Sequence, residues 1–406
     1  MWPRLGLETL EQRDTPAFLT GAEIAVGADA GGPPLVQLLD PGTGAVRTQF
    51  LAFDPSFYGG VRVAVGDVTG DGYPDLVTAA GRSGGPAVRV YDGLSGAVVA
   101  SFFAFESGFA GGMYVAVGDV TGDGVGDIIA GAGAGGGPPV NVFDGYGSLL
   151  TSFFAYTPAF PGGVRVAAGD LGGVEGTAIV TAPGPGGGPD VRTYRVLPGS
   201  ATPTLVGGFF AYDAAFAGGV YVAVGDVTGD GGGDIVTGAG AGAGPAVGVF
   251  GPDGQRLASF FAYDPSFRGG VRVATADLTG DGVAELITGP GSGGLLANVY
   301  SLPATTPLAS VAGLPAGQSV GFSVAGSLKP LNVPTAPPDV ISAAYAQYQA
   351  TQQAVQAASA AARSRQTFFA PPPFSPVLLD PYGVFGPSGI GDAGFEDGFG
   401  VELDAV

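Results

Sequence analysis

A unit of about fifty residues recurs along this 406-residue chain, and that self-similarity limits the fold more than any other feature. The stretch GGVRVAVGDVTGDGYPDLVTAAGRSGGPAVRVYDGLSGAVVASFFAF runs from Gly59 to Phe105. It returns in altered form after Gly111, Gly162, Gly218 and Gly269. The leading aspartates Asp67, Asp119, Asp170, Asp226 and Asp277 stand 52, 51, 56 and 51 residues apart.

Each unit predicts four β-strands separated by turn residues: Val61 to Val65, Leu76 to Ala79, Ala87 to Tyr91 and Ala97 to Phe103 in the first copy. Gly-Gly, Gly-Gly-Pro and Asp-Gly steps supply the connections that hairpins need. A four-stranded antiparallel unit repeated radially is a propeller blade. The first strand is built of Val, Ala and Gly and suits a crowded centre. The fourth carries Phe and suits a wide rim. The repeat is split at its ends, because Glu23 to Gly27 matches Asp75 to Ala79 and leads into two further strands. Ser319 to Gly326 (SVGFSVAG) reads as a lone first strand. Joining the two ends completes a sixth blade and leaves no open edge. The expected fold is therefore all-β: a six-bladed β-propeller over residues 21–328, closed by its N- and C-terminal strands.

Between the first and second strands lies Asp-x-Thr-Gly-Asp-Gly-x-x-Asp. Oxygen ligands at positions 1, 3, 5, 7 (through the backbone) and 9 suit a calcium ion, with Gly at position 6 for the bend. Four copies keep this pattern. They are Asp67, Thr69, Asp71, Tyr73 and Asp75; Asp119, Thr121, Asp123, Val125 and Asp127; Asp226, Thr228, Asp230, Gly232 and Asp234; and Asp277, Thr279, Asp281, Val283 and Glu285. The copy DLGGVEGTA at Asp170 has Gly172, Val174 and Ala178 at ligand positions and is expected to hold no metal. The split blade has Ser327 in place of the leading Asp and is also expected to be empty. A single such loop would read equally well as a tight turn. Four with one spacing point to about four structural Ca2+ sites.

DVTGDGYPDLV, a Gly-rich turn and VRVYDG together resemble the FG-GAP (VCBS-type) repeat of integrin α-subunit propellers and bacterial surface proteins. The likeness spans roughly residues 22–326, with Gly-Gly standing where the eponymous Phe-Gly would be. It implies a propeller serving adhesion, ligand recognition or scaffolding at the cell surface. LGLETLEQRDTPA, within residues 1–20, resembles the N-terminal segment of exported proteins of planctomycete bacteria. The alternative is a plain N-terminal extension.

Two further patterns recur. Phe-Phe-Ala-Phe/Tyr with a following Phe (Phe102, Phe103, Phe105, Phe109; Phe260, Phe261, Tyr263, Phe267) is expected to fill gaps between blades, with an exposed sugar-binding stripe as the alternative. The second residue of each first strand is Arg62, Tyr114, Arg165, Tyr221 or Arg272. These are expected either to ring the channel mouth opposite the acidic loops, as contacts for an anionic ligand or glycan, or to cover blade edges and reach water.

Composition removes other functions. The chain has no His and no Cys, so histidine catalysis, the usual zinc chemistry and disulfides are excluded. A net charge of -20 repels a phosphate backbone, so no nucleic-acid partner is expected. No run of eighteen apolar residues suggests a transmembrane helix. Beyond the repeats lie a Pro-rich linker (329–339), an Ala/Gln-rich stretch expected to be helical (340–368) and an acidic Gly/Pro-rich tail expected to be disordered (369–406). The function expected is a non-enzymatic, monomeric, extracellular or cell-surface propeller that binds a protein or glycan. Its alternatives are a purely structural matrix component and a propeller-type polysaccharide lyase.

Overall fold

The computed structural model describes residues 18–19, 22–172, 176–196, 202–293, 296–312 and 322–326. The N-terminal segment 1–17, Val174, Ser327, the linker, the Ala/Gln-rich stretch and the acidic tail lie outside the described residues. The chain divides into two units, 1–336 and 337–406, and every described residue belongs to the first.

Six four-stranded antiparallel sheets make six blades. Blade 2 is formed by Val61–Gly66, Asp75–Ala80, Ala87–Tyr91 and Val98–Phe103, in that order from the inside outward. Blades 3 to 6 repeat this from Met113–Gly118, Val164–Gly169, Val220–Gly225 and Val271–Ala276 as inner strands. Blade 1 is the composite expected from the sequence. Its inner strand, Phe322–Gly326, pairs with Ile24–Ala28, register Ile24 to Gly326 and Ala28 to Phe322. Leu35–Leu39 and Val46–Leu51 complete it.

The core lies between blades rather than within them. Second strands are buried along their whole length, Asp75–Ala80 being one example, because a blade covers both of their faces. Six hydrophobic clusters fill six seams. At five seams an aromatic of an outer strand meets an aromatic of the next blade's third strand. Phe50–Tyr91, Phe102–Phe143, Phe153–Tyr194, Phe209–Phe250 and Phe260–Tyr300 have ring centroids 4.6–4.9 Å apart. The closing seam between blades 6 and 1 is aliphatic, with Leu39, Val299, Val311 and Val324.

The aromatic expectation is met by half of each Phe-Phe pair. Strand periodicity turns neighbouring side chains to opposite faces. Phe102 therefore packs in the seam while Phe103 is 60% exposed, and Phe154, Phe210 and Phe261 are likewise exposed.

The Gly-Gly step has a steric cause. A Cβ on Gly59 would lie 1.8 Å from the Arg82 carbonyl oxygen and 2.4 Å from the Phe57 ring. Gly60 has φ of 83°, a left-handed conformation that side chains resist. Phe109, Phe160, Phe216 and Phe267 press on the matching glycines of other blades. The aromatic ring of the repeat thus arrives from two residues upstream, which accounts for the missing Phe-Gly.

The blade system also starts earlier than residue 21. Phe18 and Leu19 donate amide hydrogen bonds to the Leu94 and Gly93 carbonyls, and Leu19 is 2% exposed. Among the described residues no helix is long and apolar enough to cross a membrane.

Candidate functional site

The inner strands carry a different chemistry at each end. At the end where Gly66 leads into Asp67, the acidic loop is wound about its own carboxylates. Asp67 accepts from the Gly70 amide at 2.7 Å and the Gly72 amide at 2.8 Å, and Asp71 accepts from the Tyr73 amide at 2.8 Å. Asp119, Asp226 and Asp277 repeat the first pattern. The Val125, Gly232 and Val283 amides repeat the second, with Asp123, Asp230 and Asp281.

Position nine is also engaged by the backbone. Asp75 is fully buried, and both of its oxygens are engaged, by the Val68 and Thr69 amides and by the Gly93 amide of the next hairpin, each at 2.9 Å. Asp127 and Asp234 accept from the corresponding amides and from the Thr121 and Thr228 hydroxyls. Glu285 accepts from the Leu278 amide. Thr279 remains at position three of the last loop. Burial, with the Asp71 charge adding, pushes Asp75 up to about 7 against the pull of its amides. Burial likewise raises Asp71, with Asp92 and Asp67 contributing.

Among the described residues no three acidic side chains are gathered as a metal would hold them. The donor chemistry of carboxylate, hydroxyl and carbonyl oxygens still fits a hard cation. A second observation fits too. In the loop from Asp170, where Gly172, Val174 and Ala178 stand at ligand positions, a protein cation reaches the backbone. Arg195 donates from Nη1 to the Gly176 carbonyl and from Nη2 to the Gly172 carbonyl at 3.4 Å. Gly176 is position seven, whose backbone oxygen is the expected metal ligand elsewhere. By strand register Arg195 occupies the place of Asp92 in blade 2 and Asp144 in blade 3. Blades 1, 5 and 6 have Asp40, Gly251 and Ser301 there, so Arg195 is the one cation among the six equivalent positions. Sequence reading missed Arg195, although that lone cation was visible in the aligned repeats.

At the other end of the inner strands, the structure brings Arg62, Tyr114, Arg165, Tyr221 and Arg272 together in the channel. They line it as expected and are largely buried rather than reaching water over blade edges. Arg165 is 4% and Arg272 5% exposed. With a ring of valines they line a cavity of about 70 Å³. Arginine and tyrosine alternate, so guanidinium faces stack on rings. Arg165 sits 3.6 Å from the Tyr221 centroid, Arg62 5.4 Å from Tyr114 and Arg272 5.3 Å from Tyr221. The two tyrosine rings meet edge to face at 6.3 Å.

One carboxylate joins the belt. Asp29 pairs with Arg62 at 3.0 Å and with Arg272. Burial disfavours its charge, yet Arg272 and Arg62 hold it at about 2. It follows the second strand of blade 1, where Gly81, Gly133, Gly184, Gly240 and Gly291 stand in the other blades. That break in a glycine column was the available sequence signal, and it was overlooked. Tyr114 is raised by burial, but Arg165, Arg62 and Arg272 more than offset this and hold it at about 8.

Residues 59–98, covering the acidic loop and three strands of blade 2, match the family model described as FG-GAP repeat. No curated protein sequence matches the chain significantly. Among solved structures it is similar to the exotype rhamnogalacturonan lyase YesX at 16% identity, over 73% of this chain and 63% of that one, with a TM-score of 0.39. The Bacillus licheniformis rhamnogalacturonan lyase PL11 gives 16% identity over 72% and 65%, with a TM-score of 0.39. U3-55K gives 13% identity over 73% and 86%, with a TM-score of 0.41. The chain spans less than two thirds of the length of either lyase.

Proposed function

We propose that this six-bladed propeller, one blade of which carries an FG-GAP repeat, is a calcium-clamped, non-enzymatic binding module. It acts outside the cell or at its surface, as a monomer, on a protein or glycan ligand. Calcium is assigned to the four loops that begin at Asp67, Asp119, Asp226 and Asp277. The observation that carries this is Arg195, a guanidinium seated on the position-seven carbonyl of the loop whose positions five and nine have lost their carboxylates. A loop that needs a positive charge takes one from the protein when it cannot take one from solution. Because position nine is shared with backbone amides, the affinity expected is that of extracellular modules, about 10⁻⁴–10⁻³ M.

The non-enzymatic part draws on the channel. Its carboxylate, Asp29, is held at about 2, so it stays ionised in its ion pairs and is no base of useful strength. The chain also has no histidine to serve instead.

Calorimetric titration of calcium into chelator-treated protein tests the proposal. About four sites are expected, with a rise in Tm, since each site at a hundred times its Kd adds about 2.7 kcal/mol to the native state. No heat and an unchanged Tm at millimolar calcium would overturn it.

A further inference from the structure

We propose that the channel belt is a binding site for one divalent tetrahedral oxyanion, of sulfate or phosphate size, clasped by Arg62, Arg165 and Arg272. This site stands apart from the calcium reading, since belt and acidic loops occupy opposite ends of the inner strands.

Four observations converge. First, the belt holds three guanidinium charges and one carboxylate, a local excess of two positive charges inside an acidic protein. Second, Nε and Nη1 of all three arginines are buried and have no hydrogen-bond partner. Stacking on Tyr114 and Tyr221 uses the guanidinium faces and leaves these in-plane N–H groups unsatisfied. Buried donors of this kind are costly unless an acceptor meets them, and a charged acceptor meets them best. Third, the cavity these arginines line has a volume of about 70 Å³. One water needs about 10–15 Å³ on this measure, so there is room for a four-oxygen anion. Fourth, Asp29 reaches Arg62 and Arg272, which flank blade 1, and leaves Arg165 across the ring without a carboxylate.

The neutral phenol of Tyr114 fits the same picture. The three arginines draw it toward ionisation, to about 8, for want of another anion. Ordered water alone would satisfy donors without neutralising charge.

The test uses the full chain in chloride buffer at constant ionic strength. Sodium sulfate and sodium phosphate are titrated by calorimetry in the micromolar to low millimolar range, below the concentrations at which such salts stabilise proteins generally. One saturable site is expected. Arg165→Gln removes the guanidinium without stranding Asp29, and should weaken binding at least tenfold. Asp29→Asn removes the competing carboxylate and should tighten it several-fold.

A sulfated or phosphorylated monosaccharide forms a second arm. Binding that depends on Arg165 and matches or exceeds that of the free ion assigns the site to an ester group at the end of a larger ligand. Binding of the free ion alone assigns it to the ion. If neither ion nor ester binds wild-type protein saturably, or if Arg165→Gln binds as wild type does, the proposal is overturned. Should Arg165→Gln fail to fold, the wild-type titration and the direction of the Asp29→Asn change decide. Failure here leaves the calcium titration untouched.

Discussion

At loop position nine, Asp75 accepts three amide hydrogen bonds, whereas Asp71 four residues earlier accepts one. The two carboxylates therefore differ in what they hold together. Asp75→Ala strands the amides of Val68, Thr69 and Gly93 and should cost roughly 3 kcal/mol even in chelator. Asp71→Asn removes a like charge and should leave the chelated protein within about 0.5 kcal/mol of wild type while lowering calcium affinity. Denaturant unfolding of both variants, with and without calcium, separates these outcomes. Equal losses in chelator would mean that position nine has no structural role of its own. The ligand spacing was legible in the sequence because it is local. The second role of Asp75 was not, since its partner Gly93 lies eighteen residues on in another hairpin. Arg195 and Asp29 show the same limit from the other side. Asp29 departs from a column of glycines and Arg195 is the one cation in a mixed column, and the meaning of each depends on which arginine or loop the fold sets beside it.

Among the elements, the outer strands show how much a pattern conveys once its period is respected. Five of six seams join an aromatic of one blade to an aromatic of the next. These pairs add about 0.5–1.5 kcal/mol each beyond the area they bury. Phe143, 4% exposed, lies in such a seam, and Phe143→Ala should cost about 3–5 kcal/mol. Phe103, adjacent to the paired Phe102 but pointing out, should tolerate Ser within about 0.5 kcal/mol. Thermal or denaturant unfolding of the two variants checks the contrast. Similar losses would place the core elsewhere. The alternation of strand residues already implied one inward and one outward Phe in each pair. The place of Phe57 beneath Gly59 was not legible, because it depends on the Arg82 carbonyl of the following hairpin.

For the molecule as a whole, ring closure was legible from the split repeat. A lone first strand at one end and three strands at the other fit only one arrangement, and Val324 pairs with Val26 as that requires. The belt was legible as a register position but not as a cavity lined by buried arginines, since no single repeat reveals how far these side chains converge. The account as a whole places cations at four loops and a guanidinium at the fifth. Anomalous scattering from crystals grown with calcium tests this most directly. It should give four peaks, at the loops beginning Asp67, Asp119, Asp226 and Asp277, and none at Asp170. Featureless maps at the four acidic loops, or a peak at Asp170 with Arg195 displaced, would contradict it.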